Sequence, residues 1–173
     1  YDLATSGEYE GGFQAFKESV IAAIDIATMA HNREGGLAGV GTGFRDLDSL
    51  LGGLHSSDLL ILAGRPGMGK TALATNIAYN AAYTYQHSEG REGAVVGFFS
   101  LEMSAEQLAS RILSEQSDIS SDRMRKGELA NEEFNRLSAA SMTLHQIPIF
   151  IDDTPALTVS ALRTRARRLK RQH

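Results

Sequence analysis

Eight residues, Gly64-Arg65-Pro66-Gly67-Met68-Gly69-Lys70-Thr71, carry the densest chemical signal in the chain. Their G-x-x-x-x-G-K-T spacing is that of a loop that cradles the phosphates of a nucleoside triphosphate. Gly64, Gly67 and Gly69 offer backbone that can take positive φ and turn its N–H groups toward an anion. A helix that starts just after the loop presents its positive end to the same anion. Lys70 is expected to reach the β- and γ-phosphates, and Thr71 to offer its hydroxyl to Mg2+. The nucleotide-binding candidates are therefore Gly64, Arg65, Pro66, Gly67, Met68, Gly69, Lys70, Thr71 and Ala72.

Binding is not hydrolysis, which needs a carboxylate to orient or deprotonate the attacking water. Glu102 in FFSLEMS is the candidate, just past the carboxyl end of an apolar run, where ligands bind in open α/β sheets. A second acidic pair closes the run IPIFIDD. Taken alone, Asp152 is the natural Mg2+ partner. The rival reading makes it the end of a core strand, with Asp153 and Thr154 organising the turn before Pro155. Local pattern does not choose between them.

The elements that must hold these residues follow from periodicity. DLLILAG (58–64), AVVGFFS (94–100) and IPIFID (147–152) are apolar runs suited to strands buried on both faces. Helices are expected between and after them. TGFRDLDSLLGG should form a short capped helix with Leu47, Leu50 and Leu51 inward. TALATNIAYNAAY should form one whose small residues pack closely on a sheet. Ser104 and Gln107 make a capping-box pattern, whereas SSDRMRKGEL reads as irregular or weakly helical. NEEFNRLSAASMTL places Phe134, Leu137, Ser141 and Leu144 on one face. Thr158 can cap a last helix whose Val159, Leu162, Ala166 and Leu169 face the core. Strands alternating with helices imply a parallel sheet, so the fold class is α/β.

Ahead of this lies a linker, residues 1–12, rich in Gly and acidic residues, and then an amphipathic helix over 13–34. Phe13, Phe16, Val20, Ile24 and Ala27 give it one apolar stripe, which must dock on the main domain or on another copy. At 173 residues the chain has room for one domain with a real core, and its net charge of −4 argues against a surface that coats DNA generally. It has no cysteine, which fits a reducing cytoplasm, and five histidines without metal-ligand spacing. No apolar run approaches the ~18 residues of a membrane span, and the start is not a signal peptide. The absence of an initiator methionine points to a piece of something longer.

Taken together, TGFRDLDSLLGGL, LAGRPGMGKTALATNIAYN, FFSLEMS and IFIDDTPALTVSALRTRARRLKRQH resemble the bacterial replicative DNA helicases of the DnaB family, from about Phe13 to the last residue. The first stretch and the loop are shared in looser form with recombinases and clock-type ATPases of the same RecA-like fold. The segments SLEMS and IDDTPALT favour the helicase. The resemblance implies a RecA-like P-loop NTPase domain over 35–173, incomplete here, using ATP and Mg2+. It makes Lys70 and Thr71 the phosphate and Mg2+ ligands and Glu102 the catalytic glutamate. It makes 13–34 a linker helix that docks on the neighbouring subunit of a homohexameric ring. It argues against Asp152, since the family's metal carboxylate lies on a later strand. That strand, the arginine finger, the DNA-binding loops and the primase-contacting domain are expected to be missing, so the piece alone should be inactive. Single-stranded DNA, primase and a helicase loader are the implied partners, in the cytoplasm and not at a membrane. The basic tail, Arg163, Arg165, Arg167, Arg168, Lys170 and Arg171, is read as a solvated or neighbour-facing side of a core helix. The alternatives are a RecA-like recombinase or clock-type ATPase, or a nucleotide-binding assembly module that never hydrolyses.

Overall fold

The computed structural model describes residues 15–32 and 37–173. The expected linker over 1–12 lies outside them, as do Phe13, Gln14, Arg33 and Glu34 of the expected helix. The chain divides into two compact units, Tyr1–Ala38 and Gly39–His173. In the first, helix α1 spans Phe16–Asn32. Three members of its expected stripe, Phe16, Val20 and Ile24, are exposed, as is Ile21.

The second unit opens with α2 (Arg45–Leu51), ended by Gly52 in the left-handed region. Leu50, expected inward, is 81% exposed, and the buried side chain of this helix is Asp48. The cause is a polar anchor. One Asp48 oxygen accepts from the Thr42 N–H and hydroxyl, the other from the Gly43 N–H, and Asn80 donates to the Thr42 carbonyl. Two residues beyond Asp48 along a helix, Leu50 points to the opposite side.

Helix α3 (Lys70–His87), strand β1 (Val96–Phe99), helices α4 (Ala105–Ser117), α5 (Ser121–Lys126) and α6 (Asn131–Leu144), strand β2 (Ile149–Asp152) and helix α7 (Val159–Gln172) complete the unit. β1 and β2 pair in parallel with Val96 opposite Ile149 and Phe99 opposite Asp152, a pairing that requires the long helical crossover between them. One face of the pair is packed: Val96, Ile149 and Leu144 rest on a core of Tyr79, Ala82, Ile112 and Ile147. The other face meets α7, where a Cβ added at Gly97 would come within 2.7 Å of Leu169 Cδ2. Glycine there lets the helix approach the sheet. The fold is α/β, with a two-stranded parallel sheet flanked by helices.

Three packing expectations need correction. The run 58–64 is not a strand among the described residues: Leu59, Leu60, Ile61 and Leu62 are exposed, and none of them pairs with β1 or β2. An apolar run becomes a strand only when another strand satisfies its backbone, and none does so here. On α7, Ala166 and Leu169 are half-buried while Val159 and Leu162 stay exposed, since the helix meets the sheet through its carboxyl-terminal half. On α6, Phe134 is exposed although Leu137 and Leu144 are half-buried. The caps fare differently. The Ser104–Gln107 capping box forms, and the Thr158 hydroxyl accepts from the Ala161 N–H.

Candidate functional site

The loop before α3 has the geometry its composition implies, with one exception. Gly67 and Gly69 sit at φ of +77° and +83°, and a Cβ at either would meet nothing within 4 Å. Glycine is needed there for backbone conformation, not for room. Gly64, expected to take positive φ as well, does not; a Cβ there would make ordinary contacts with Lys70 and Met68.

Gly69 is the residue that caps α3, and no side chain among the described residues caps that helix end. The first N–H groups of the helix, at Lys70, Thr71 and Ala72, therefore have no acceptor within the helix, and the positive end of an 18-residue helix faces outward. Residues 64–69 are exposed, and Lys70, Thr71 and Ala72 are half-buried. The Lys70 ammonium donates to the carbonyls of Gly64 (2.9 Å) and Arg65 (3.3 Å). An anion that takes Lys70 must replace those two bonds with stronger, charge-assisted ones.

Glu102 lies at the same edge of the sheet. The chain reverses after α3: Gly90 N–H bonds to the Tyr85 carbonyl and Ala94 N–H to the Ala81 carbonyl. β1 thus runs antiparallel to α3, and its carboxyl end returns toward the end of the helix where Lys70 stands. A Cβ at Gly93 would fall 2.3 Å from the Ala81 carbonyl oxygen and 2.4 Å from the Tyr85 nitrogen. The tight reversal therefore depends on glycine at that position. Glu102 follows β1 in an exposed turn and makes no side-chain hydrogen bond or ion pair among the described residues.

The turn itself is strongly held. Ser100 is buried; its hydroxyl donates to the Met103 carbonyl and accepts from the Met103 N–H. Its own N–H donates to the Asp152 carbonyl, and the Ala105 N–H donates to Asp153 Oδ2 at 2.9 Å. Pattern reading did not find this last bond, because its partners are 48 residues apart.

Asp152, open to two readings from sequence, is engaged with other groups. Arg165 Nη1 donates to both of its oxygens and to the Thr154 hydroxyl, and the Thr154 N–H donates to Asp152 Oδ1. The Arg165 guanidinium, with help from Thr154, pulls the Asp152 carboxyl from its ordinary 3.8 to about 2. The structural reading of Asp152 is the one these contacts carry: it ends β2 and ties it to α7. Among the described residues no group of three or more His, Asp or Glu could hold a metal ion.

A sequence model of the DnaB-like helicase C terminal domain matches residues 39–173, the whole of the second unit. The chain belongs to the DnaB-like helicase family. It is 47% identical over 176 residues to the replicative DNA helicase DnaB of Rickettsia conorii, covering all of this chain and 36% of that protein. It is 40% identical over 165 residues to that of Geobacillus stearothermophilus, covering 95% and 35%. The chain thus spans little more than a third of the length of these curated relatives. In fold it resembles a solved helicase-like ATPase domain, with TM-score 0.80 at 24% identity over 94% of this chain and 54% of that one. It also resembles a DnaB-like replicative helicase studied for its interactions with primase, with TM-score 0.75 at 24% identity over 96% and 38%.

Proposed function

We propose that this DnaB-like segment is the nucleotide-gripping part of an ATP-driven replicative DNA helicase, with its boundary near residue 35 and the linker and helix 13–34 ahead of it. The observation that carries the reading is one sheet edge with two features: a glycine-shaped loop ending in an uncapped helix with Lys70, and an unpaired carboxylate, Glu102. The amides of Gly64 to Ala72 would hold the phosphates of ATP, with Lys70 on the β- and γ-phosphates. Thr71 fits Mg2+ as a single hydroxyl ligand, phosphate oxygens and water supplying the rest. Bound there, the ion neutralises charge on the phosphate oxygens. Glu102 would orient and deprotonate the attacking water.

The exposed apolar stripe of α1 supports its use as a subunit clip, and a ring of six copies is the assembly we assign to it. Asp152, held by Arg165, is not assigned to the metal. Single-stranded DNA, primase and a loader are the partners the family membership favours, in the cytoplasm. The other basic residues of α7 are not assigned to DNA. Glu102→Gln in the whole protein tests the assignment: nucleotide affinity stays within about twofold while kcat falls by roughly a hundredfold or more, the range of a lost general base. Retained hydrolysis would remove Glu102 from that role.

A further inference from the structure

We propose that Asp153 is a positioning residue for Glu102: its carboxylate clamps the Ala105 N–H and so fixes the turn that carries the glutamate. The inference rests on the assignment of Glu102 above. Glu102 has no side-chain partner of its own among the described residues, so its placement depends on the backbone beneath it. That backbone runs from Ser100 to Ala105. At its start, the Ser100 N–H is bonded to the Asp152 carbonyl. Inside it, the Ser100 hydroxyl spans to Met103. At its end, Ser104 Oγ caps Gln107 N–H and Gln107 Oε1 returns to Ser104 N–H. These last contacts are local to the turn and would travel with it if it swung on the end of β1.

The bond from Ala105 N–H to Asp153 Oδ2 is different in kind. It is the side-chain contact from a distant element that ties the far end of the turn to β2. Asp153 is itself well based. It follows Asp152, whose carboxylate is gripped by Arg165 of α7 and whose backbone closes the β1–β2 pairing. A chain of contacts therefore runs from α7 through the end of β2 to both ends of the Glu102 turn. A displacement of about 1 Å at a reacting group can cost a hundredfold in rate, so a clamp of this sort should show in kcat before it shows in binding.

The rival explanation is that Asp153 merely helps to cap α4. Ala105 is the first residue of α4, a position where proline is favoured because its missing N–H has no partner in the helix. Ser104 before it has φ −71° and ψ 160°, the conformation proline demands of its predecessor. Ala105→Pro in the whole protein thus removes the clamped donor while leaving α4 at least as stable. Steady-state ATPase would be measured for this variant, for Asp153→Ala and for Asp153→Asn, whose amide oxygen can still accept.

Ala105→Pro and Asp153→Ala should each lower kcat roughly tenfold or more with KM for ATP within about threefold, and Asp153→Asn should keep at least about a third of kcat. Added to Glu102→Gln, Ala105→Pro should change the residual rate by less than about twofold, since the group it positions is already disabled. A thermal melt of Ala105→Pro no lower than that of the parent excludes loss of fold as the cause. If Ala105→Pro turns over normally while Glu102→Gln does not, the clamp is wrong and the base stands. If Glu102→Gln itself turns over normally, both are wrong.

Discussion

Two stretches of this chain share one plan, an apolar run followed by a turn and a helix, and they are built in opposite ways. From Asp58 to Lys70 the turn is self-sufficient. Its shape comes from Gly67 and Gly69, and Lys70 bonds to carbonyls five and six residues back. The run ahead of it, Leu59 to Leu62, is exposed and belongs to no sheet among the described residues. From Ala94 to Ala105 the strand is paired and packed, and the turn is tied to β2 through Asp152 and Asp153. The shape of the phosphate loop is thus a local property, and the placement of Glu102 is a tertiary one.

Two glycines at the same φ of +77° test this contrast most severely, because Gly93 abuts the backbone of α3 while Gly67 faces open space. Gly93→Ala should cost about 3 kcal/mol of stability, strain plus collision, and Gly67→Ala about 1 kcal/mol, strain alone. Chemical denaturation of both variants reads the difference; equal costs would break the distinction. The two apolar runs should diverge next. Ile149→Ala, in the packed pair, is expected to cost about 2 kcal/mol, and Leu59→Ser, at 85% exposed, no more than about 0.5 kcal/mol.

The smallest effect concerns pH. Arg165 lowers the Asp152 carboxyl to about 2, so the contribution of this pair is fully present above the carboxyl's ordinary value. It is lost as pH falls through the lowered one. The stability gap between the parent and Asp152→Asn should therefore be constant from pH 7 to about 5 and close between roughly pH 4 and 2. Denaturation midpoints across that range check it, and the pair's exposure keeps the gap small.

How much of this was legible follows the same division. The phosphate loop, the Ser104–Gln107 box and the Thr158 cap are short-range devices, each written within a few consecutive residues. Parallel α/β character was legible too, because alternating apolar runs and helices leave few other arrangements. Burial was not. Leu50, Val159 and Phe134 fit an inward stripe by spacing, yet what covers a stripe is decided by distant elements. The strand expected at 58–64 failed for that reason, since a strand needs a partner that its own residues do not specify. The fate of Asp152 turned on Arg165, thirteen residues on and on another element. Likewise the grip of Asp153 on Ala105 follows only from the register of β1 with β2. Gly64 shows the converse: its motif position implies positive φ, and the loop closes without it.

The central claim is that the amides and lysine of Gly64 to Thr71 grip a triphosphate. Calorimetric titration of ATP with Mg2+ into the whole protein and its Lys70→Ala variant measures it directly. The parent should bind with a 1:1 ratio per chain, and the variant should bind roughly a hundredfold more weakly, about 2.7 kcal/mol. Equal affinity in the two proteins would contradict the claim.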